Sequence, residues 1–350
     1  MGQKQAVVGA IAAADLYGDL EPAPRVRPHH HLPGLAVTLS ATLAAGYISD
    51  HYHAPLTLMS LLIGLSLNFL SADARLSPGL AFASRTLLRW GIVLVGVRIT
   101  LAQIVALGLP ALLAVVVTVA ATIGAGVLVS RRLGAGSAFG VLAGGAVAIC
   151  GASAAMAFAS LLGERRLGQA QLALTLVGIS AMSALAMVLY PLLAHYLGFN
   201  DNQAGFMLGA SIHDVAQSLG AGYSFSPGAG QTAAIVKLSR VALLAPVMAV
   251  VALFFPHDGS AVKRASPLPW FVVGFFVLAA VNSTGVVPGA VSDWAERLAT
   301  GCLACAVTAT GIRSPMQQLL VAGPRPLLVI VASTLVALAL ATAAAMTLIH

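Results

Sequence analysis

Apolar residues in this chain gather into long blocks instead of alternating with polar ones. Eleven blocks stand out, near 33–49, 55–70, 79–98, 109–129, 138–162, 171–197, 203–222, 229–255, 268–285, 293–312 and 325–348, separated by Gly, Pro or charge. A helix needs roughly 20 apolar residues to cross about 30 Å of hydrocarbon, so blocks of this length predict membrane-spanning helices. A transmembrane β-barrel would show segments of about ten residues alternating inward and outward, whereas stretches such as Leu112 to Val119 are apolar on every face. The pattern predicts an all-α membrane protein of about 11 transmembrane helices.

Composition sharpens this reading. Charged residues make up 8% of the chain and apolar residues 59%, with a mean hydropathy of +0.94. Soluble domains are about one quarter charged, and eleven acids with eighteen bases cannot coat a water-facing fold of 350 residues. Residues 1–31 differ, with Asp15, Asp19, Glu21, Arg25, Arg27, three prolines and the run His29, His30, His31. They read as a solvated cytoplasmic tail, not as a metal site. Val7 to Ala14 is too poor an apolar core for a signal peptide, and position 6 lacks the Ser or Thr of a myristoylation pattern. The remainder, 32–350, reads as a single transmembrane domain. With eleven spans, ten Lys and Arg fall on the N-terminal side and four (Arg98, Arg165, Arg166, Arg297) on the other, which predicts a cytoplasmic N terminus. Arg165 and Arg166 would change sides if 138–162 entered and left on one face.

An internal repeat adds architecture. At a constant offset of 215, Gly96 meets Gly311, Arg98 meets Arg313, Gln103 meets Gln318 and Gly108 meets Gly323, while Leu112 and Leu113 meet Leu327 and Leu328. Leu65 to Asn68 resembles Ala279 to Asn282 after a one-residue shift. The repeat-related segments are 55–129 and 268–348. An odd number of spans separates the third helix from the tenth, so the two copies are predicted to be inverted, an arrangement by which many secondary transporters alternate access around a midplane site.

Ionisable groups deep in a membrane are costly and point to function. Arg85 and Arg89 sit in the third block, Lys237 and Arg240 in the eighth and Asp214 in the seventh. Arg85 and Lys237 have a competing reading as snorkelling side chains. Four bases facing one acid leave the interior short of negative charge, and an anionic ligand would supply it. Two Gly-rich segments, within 138–162 and 203–255, supply candidate broken helices at the midplane. In Gly144 to Ser153 the glycines permit a break near Gly151, whose new helix start would offer backbone N–H groups to an anion; close helix packing is the competing reading. In the second, a continuous helix through Gly209 to Ser218 would place Asp214, Gln217 and Ser218 on one face with His213 beside it, a cluster able to bind or relay a proton. Cys302 and Cys305 have metal-like spacing but no second pair and no nearby His; with Cys150 they read as small packing residues.

Several stretches together resemble the YeiH-like family of bacterial membrane proteins, which carries a sulfate-exporter label. They are Leu87 to Ile92, Gly96 to Thr100, Ile149 to Ala154, Ile212 to Gln217, Ala234 to Lys237 with Arg240 and Val241, Leu244 to Pro246, Pro269 to Phe271, and Asn282 with Ser283. The resemblance covers nearly the whole chain after residue 31, and the family pattern has Glu where this chain has Asp214. It implies an export-type carrier in the bacterial inner membrane, similar to bile-acid symporters and cation antiporters. The combined expectation is a secondary transporter for a small anion, sulfate-like or an organosulfonate. Arg89, Cys150, Gly151, Ala152, Ser153, His213, Gln217, Lys237 and Arg240 would line its site, and Asp214 or His213 would carry a coupling proton, sodium being the other candidate ion. No cofactor, metal or nucleic-acid partner is expected; membrane lipid is, and a homodimer would suit the architecture. No Gly-x4-Gly-Lys-Ser/Thr run occurs, which sets ATP coupling aside. An intramembrane hydrolase using Ser153 with His213, and an anion channel, are the alternatives.

Overall fold

The computed structural model describes residues 28–52, 54–163, 166–255, 270–314 and 324–349, and no strand occurs among them. In chain order the helices are α1 (Leu32–Tyr52), α2 (Leu56–Ser66), α3 (Ser77–Arg98), the short α4 (Leu101–Ala106), α5 (Gly108–Arg132), α6 (Ser137–Ala148) and α7 (Ala152–Leu162). They continue with α8 (Gln169–Tyr196), α9 (Asp201–Ser211), α10 (Val215–Phe225), α11 (Pro227–Ala242), α12 (Leu244–Phe254), α13 (Trp270–Ser283), α14 (Gly289–Ile312) and α15 (Pro324–Leu348). Among the described residues, six helical stretches are long and apolar enough to cross a membrane: Pro28–Tyr52, Ser77–Arg98, Gly108–Arg132, Ala170–Tyr196, Pro227–Phe254 and Leu327–Leu348. Large apolar side chains such as Leu43, Leu113, Leu192 and Leu253 stand exposed on the outside, as lipid-facing positions do.

The predicted spans 138–162 and 203–222 are each split, and this corrects the count of eleven. Asp201 at the start of the second segment accepts a hydrogen bond at 2.7 Å from Ser226, which lies just past its end. Gly205 and Gly222, one on each half, both pack against Ala229 on α11. In the first segment Gly145 on α6 lies so close to the Phe158 ring on α7 that an added Cβ would come within 2.3 Å of it. Each segment therefore runs inward, turns and comes back as a hairpin. The halves hold 11 or 12 residues, about 17 Å of helix, enough to reach the middle of the hydrocarbon and no further.

The surrounding helices show a reciprocal pattern. Asn68, after α2, donates to Ser314 O at 2.6 Å beyond α14, and Asn282 on α13 donates to Ile99 O at 3.2 Å beyond α3. A Cβ on Gly96 would lie 2.4 Å from Phe275 O of α13, and one on Gly311 would lie 2.9 Å from Leu61 O of α2. Substitution at either glycine would force two helices apart. Of the matched pairs, Gln318 and Gly323 lie outside the described residues.

Candidate functional site

The two hairpin tips meet in the interior beside α11. A Cβ on Gly151 at the first tip would sit 3.8 Å from His213 C and 3.9 Å from Asp214 Cα at the second. The first tip is Ile149, Cys150 and Gly151. Gly151 adopts φ +71° and ψ −119°, a conformation that side chains disfavour, and this is the one glycine of its run that makes the turn. Its neighbours serve packing instead: Gly144 faces the α5 backbone at Gly126, and Gly145 faces Phe158. The second tip is Ile212, His213 and Asp214, with extended backbone at Ile212 and Asp214. The helical face expected for Asp214, Gln217 and Ser218 is therefore not formed as such. Asp214 stands before α10 as its N-cap, and Ser218 reaches back to Leu208 O at 3.1 Å.

Each hairpin brings one helix C-terminus and one helix N-terminus to its tip. The C-terminal carbonyls lack intrahelical partners and carry the negative end of the helix dipole. Lys237 and Arg240, three residues apart on one face of α11 and both 0% exposed, point at them. Lys237 Nζ donates to Ile149 O at 3.0 Å, to Ile212 O at 2.6 Å and to His213 O. Arg240 donates through Nε to Ala148 O at 2.7 Å, through Nη1 to Gly209 O at 3.0 Å and Ile212 O at 3.1 Å, and through Nη2 to Val147 O at 2.8 Å and to Ala148 O. Both cations thus bridge the end of α6 to the end of α9. The sequence-based inference that they lack negative partners is met here by backbone oxygen, which no residue letter displays.

The N-terminal ends differ. Asp214 Oδ1 accepts from Gln217 N at 3.0 Å, so the start of α10 is closed by a carboxylate, while Asp214 N is held by Ser183 Oγ of α8 at 2.9 Å. The start of α7, at Gly151, has no side-chain cap. Close by in sequence, Ser153 Oγ is buried without a hydrogen-bond partner among the described residues, as are Gln217 Oε1 and His213 Nδ1. His213 Nε2 lies 2.9 Å from Thr334 Oγ1 on α15, and that hydroxyl already donates to Ile330 O at 2.8 Å. One hydroxyl has one proton to give, so Nε2 must be the donor and a neutral His213 presents Nδ1 as an acceptor.

Cys150, Gly151, Ala152, Ser153, His213, Asp214, Gln217, Lys237 and Arg240 are thereby brought together. Arg89 lies half-buried on α3, which packs chiefly against α13 and α14 and also touches α11. Cys302 sits on α14, half-buried, and Cys305 is buried on the same helix. Among the described residues no group of three His, Cys, Asp or Glu could hold a metal ion.

Residues 33–330 match a family described as conserved hypothetical protein 698. The chain belongs to that family. Within it, the UPF0324 membrane protein TauZ of Paracoccus denitrificans is 45% identical over 307 residues, covering 86% of this chain and 91% of its own. UPF0324 membrane proteins of Chlorobaculum tepidum and Rhizobium meliloti are each 40% identical, over 317 and 307 residues, covering 89% and 87% of this chain and 88% and 89% of theirs. No solved structure matches the chain. Membership accords with the YeiH-like resemblance and with the apolar helices, and the chain is a membrane protein. Sequence reasoning missed Ser183 and Thr334 at this family member's site. The adjacent Ser333 and Thr334, both 0% exposed in the middle of an otherwise apolar helix, were the available signal.

Proposed function

We propose that this protein is a secondary transporter, not an enzyme, and that it moves a small anion such as sulfate or an organosulfonate across the bacterial inner membrane. The observation that carries the reading is the meeting of two hairpin tips at mid-depth, with one helix start left uncapped beside buried, unpartnered polar atoms. Irregular backbone at membrane depth is tolerated where it is enclosed by protein or lines a site, and half-helix starts are suited to anionic groups. The N–H groups of Ala152 and Ser153 with Ser153 Oγ would bind the anion. Lys237 and Arg240, already tethered to carbonyls, would contribute long-range positive charge instead of direct contacts. Asp214 or His213 would take up the coupling proton, with sodium the other candidate ion, and a homodimer would suit a carrier of this kind.

The reciprocal bonds of Asn68 with Ser314 and Asn282 with Ile99 support an inverted repeat relating α2, α3 and α5 to α13, α14 and α15. Hairpins that return to their own side also move Arg165 and Arg166 across, turning ten basic residues against four into twelve against two. That supports a cytoplasmic N terminus, and it has the first hairpin enter from the cytoplasm and the second from outside.

Proteoliposomes loaded with unlabelled sulfate, sulfite or an organosulfonate should show saturable counterflow of the labelled anion. Ser153→Ala should raise KM by about tenfold or more, the worth of one lost hydrogen bond to a charged group. Absence of any anion movement under every gradient would overturn the reading, and high unitary conductance would make the protein a channel. Arg89→Gln tests the remaining predicted base, and normal transport would remove it from the site.

A further inference from the structure

A second concave feature lies away from the hairpin tips. A groove of about 670 Å³ runs between α5 and α12, with the start of α6 at one end. Its walls are apolar, formed by residues such as Val119, Ile123 and Val127 on α5 and Val247 and Val251 on α12. It opens on the outside of the bundle, where Val116, Val250 and Phe254 are 46%, 53% and 76% exposed. The polar lining is confined to one end, at Arg131 and Ser137. Arg166 adds a second base nearby, its guanidinium carbon 5.8 Å from the centroid of the Phe255 ring, which also lines the groove.

Length and charge together identify an occupant. From Val116 to Arg131 the groove follows α5 for about 22 Å. One leaflet, from bilayer midplane to headgroup, is also about 20–22 Å thick. An apolar trough of that length with cationic groups at its outer end is complementary to an acyl chain ending in a phosphate. A flat lipid-facing surface offers neither the concavity nor the fixed charge. We infer that the α5–α12 groove is a binding site for one anionic phospholipid, its acyl chain along Val247 and Ile123 and its headgroup phosphate on Arg131. A second copy of this chain is disfavoured as occupant because a twofold contact through the groove would bring Arg131 of one copy towards Arg131 of the other.

The site stands independently of the transport reading. Its test uses the full-length protein, purified in mild detergent and equilibrated with phosphatidylglycerol or phosphatidylcholine, with bound lipid counted by native mass spectrometry. Phosphatidylglycerol should be retained over phosphatidylcholine. Arg131→Gln should cut that preference about fivefold, the effect of one basic residue on an anionic lipid. Val247→Trp, which fills the trough, should reduce retention of both lipids, and Arg132→Gln, outside the groove lining, should change neither. Thermal melting of each variant in detergent separates lost folding from lost binding. Equal retention of the two lipids, or unchanged retention in folded Val247→Trp, would overturn the proposal. So would a Val247→Cys variant that forms an intermolecular disulfide in vesicles, because the groove would then be a contact between two copies.

Discussion

The two hairpin tips solve the same backbone problem in different ways. Both end their inward helix in bare carbonyls, and both hand those carbonyls to Lys237 and Arg240. They part at the outgoing helix. The second tip closes its N–H groups with Asp214, a group that can also take up or release a proton. The first tip has Gly151 in the equivalent place, which has nothing to cap with. One tip is thus self-sufficient and titratable, and the other is open to whatever negative group can reach it. Fixed charge holds the pair together, while the asymmetry at the helix starts is where ligand and proton would act.

The largest effect should come from removing what the tips share. Arg240→Met leaves the buried carbonyls of Val147, Ala148 and Gly209 without their donor, at a cost of roughly 3–5 kcal/mol. Folded protein recovered after detergent extraction should fall sharply, and recovery equal to wild type would mean that the carbonyls find other partners. Next in size, Gly151→Ala forces a side chain into a backbone conformation worth about 1–3 kcal/mol of strain and brings its Cβ within 3.2 Å of Ile179 Cγ2. A lower melting temperature is expected, whereas Gly144→Ala would act through the α5 contact instead. The smallest effect on stability separates the two tips most cleanly. Asp214→Ala should cost about 1 kcal/mol as a lost cap, and Asp214→Asn almost nothing, since Asn caps as well as Asp. If Asp214 carries the coupling proton, the Asn variant should be as stable as wild type yet transport with no dependence on the pH gradient. Retained pH dependence would shift that role to His213.

How much of this was readable from residue letters follows the same divide. The long apolar blocks became helices close to their predicted bounds, as Gly108–Arg132 against 109–129 shows, because hydropathy over 20 residues is a strong signal. The break at Gly151 was visible as glycine density, although Gly144 and Gly145 proved to serve packing. The break at Ile212 to Asp214 was read as continuous helix because it lacks Pro and its only mark is an acid before Val215. An Asp in that position is as compatible with a helix face as with an N-cap until the chain is seen to turn. The return of 138–162 to its own side was left open by the dissenting pair Arg165 and Arg166, while that of 203–222 left no such mark, since length and apolarity do not distinguish two half-depth helices from one full span. The partners of Lys237 and Arg240 were hidden for a simpler reason: every residue carries a carbonyl, so sequence cannot say which of them has been left bare.

One arrangement constrains how the protein can move. Because α11 grips the ends of α6 and α9 through the same two side chains, neither tip can shift alone without tearing several bonds at once. The tips and α11 are therefore tied into one block, like a carriage on a single axle, and in the proposed carrier a change in exposure from one side of the bilayer to the other would come from sliding that block against α2, α3, α13 and α14. Distances measured by paired spin labels should stay constant across the tips and vary only between the tips and α14.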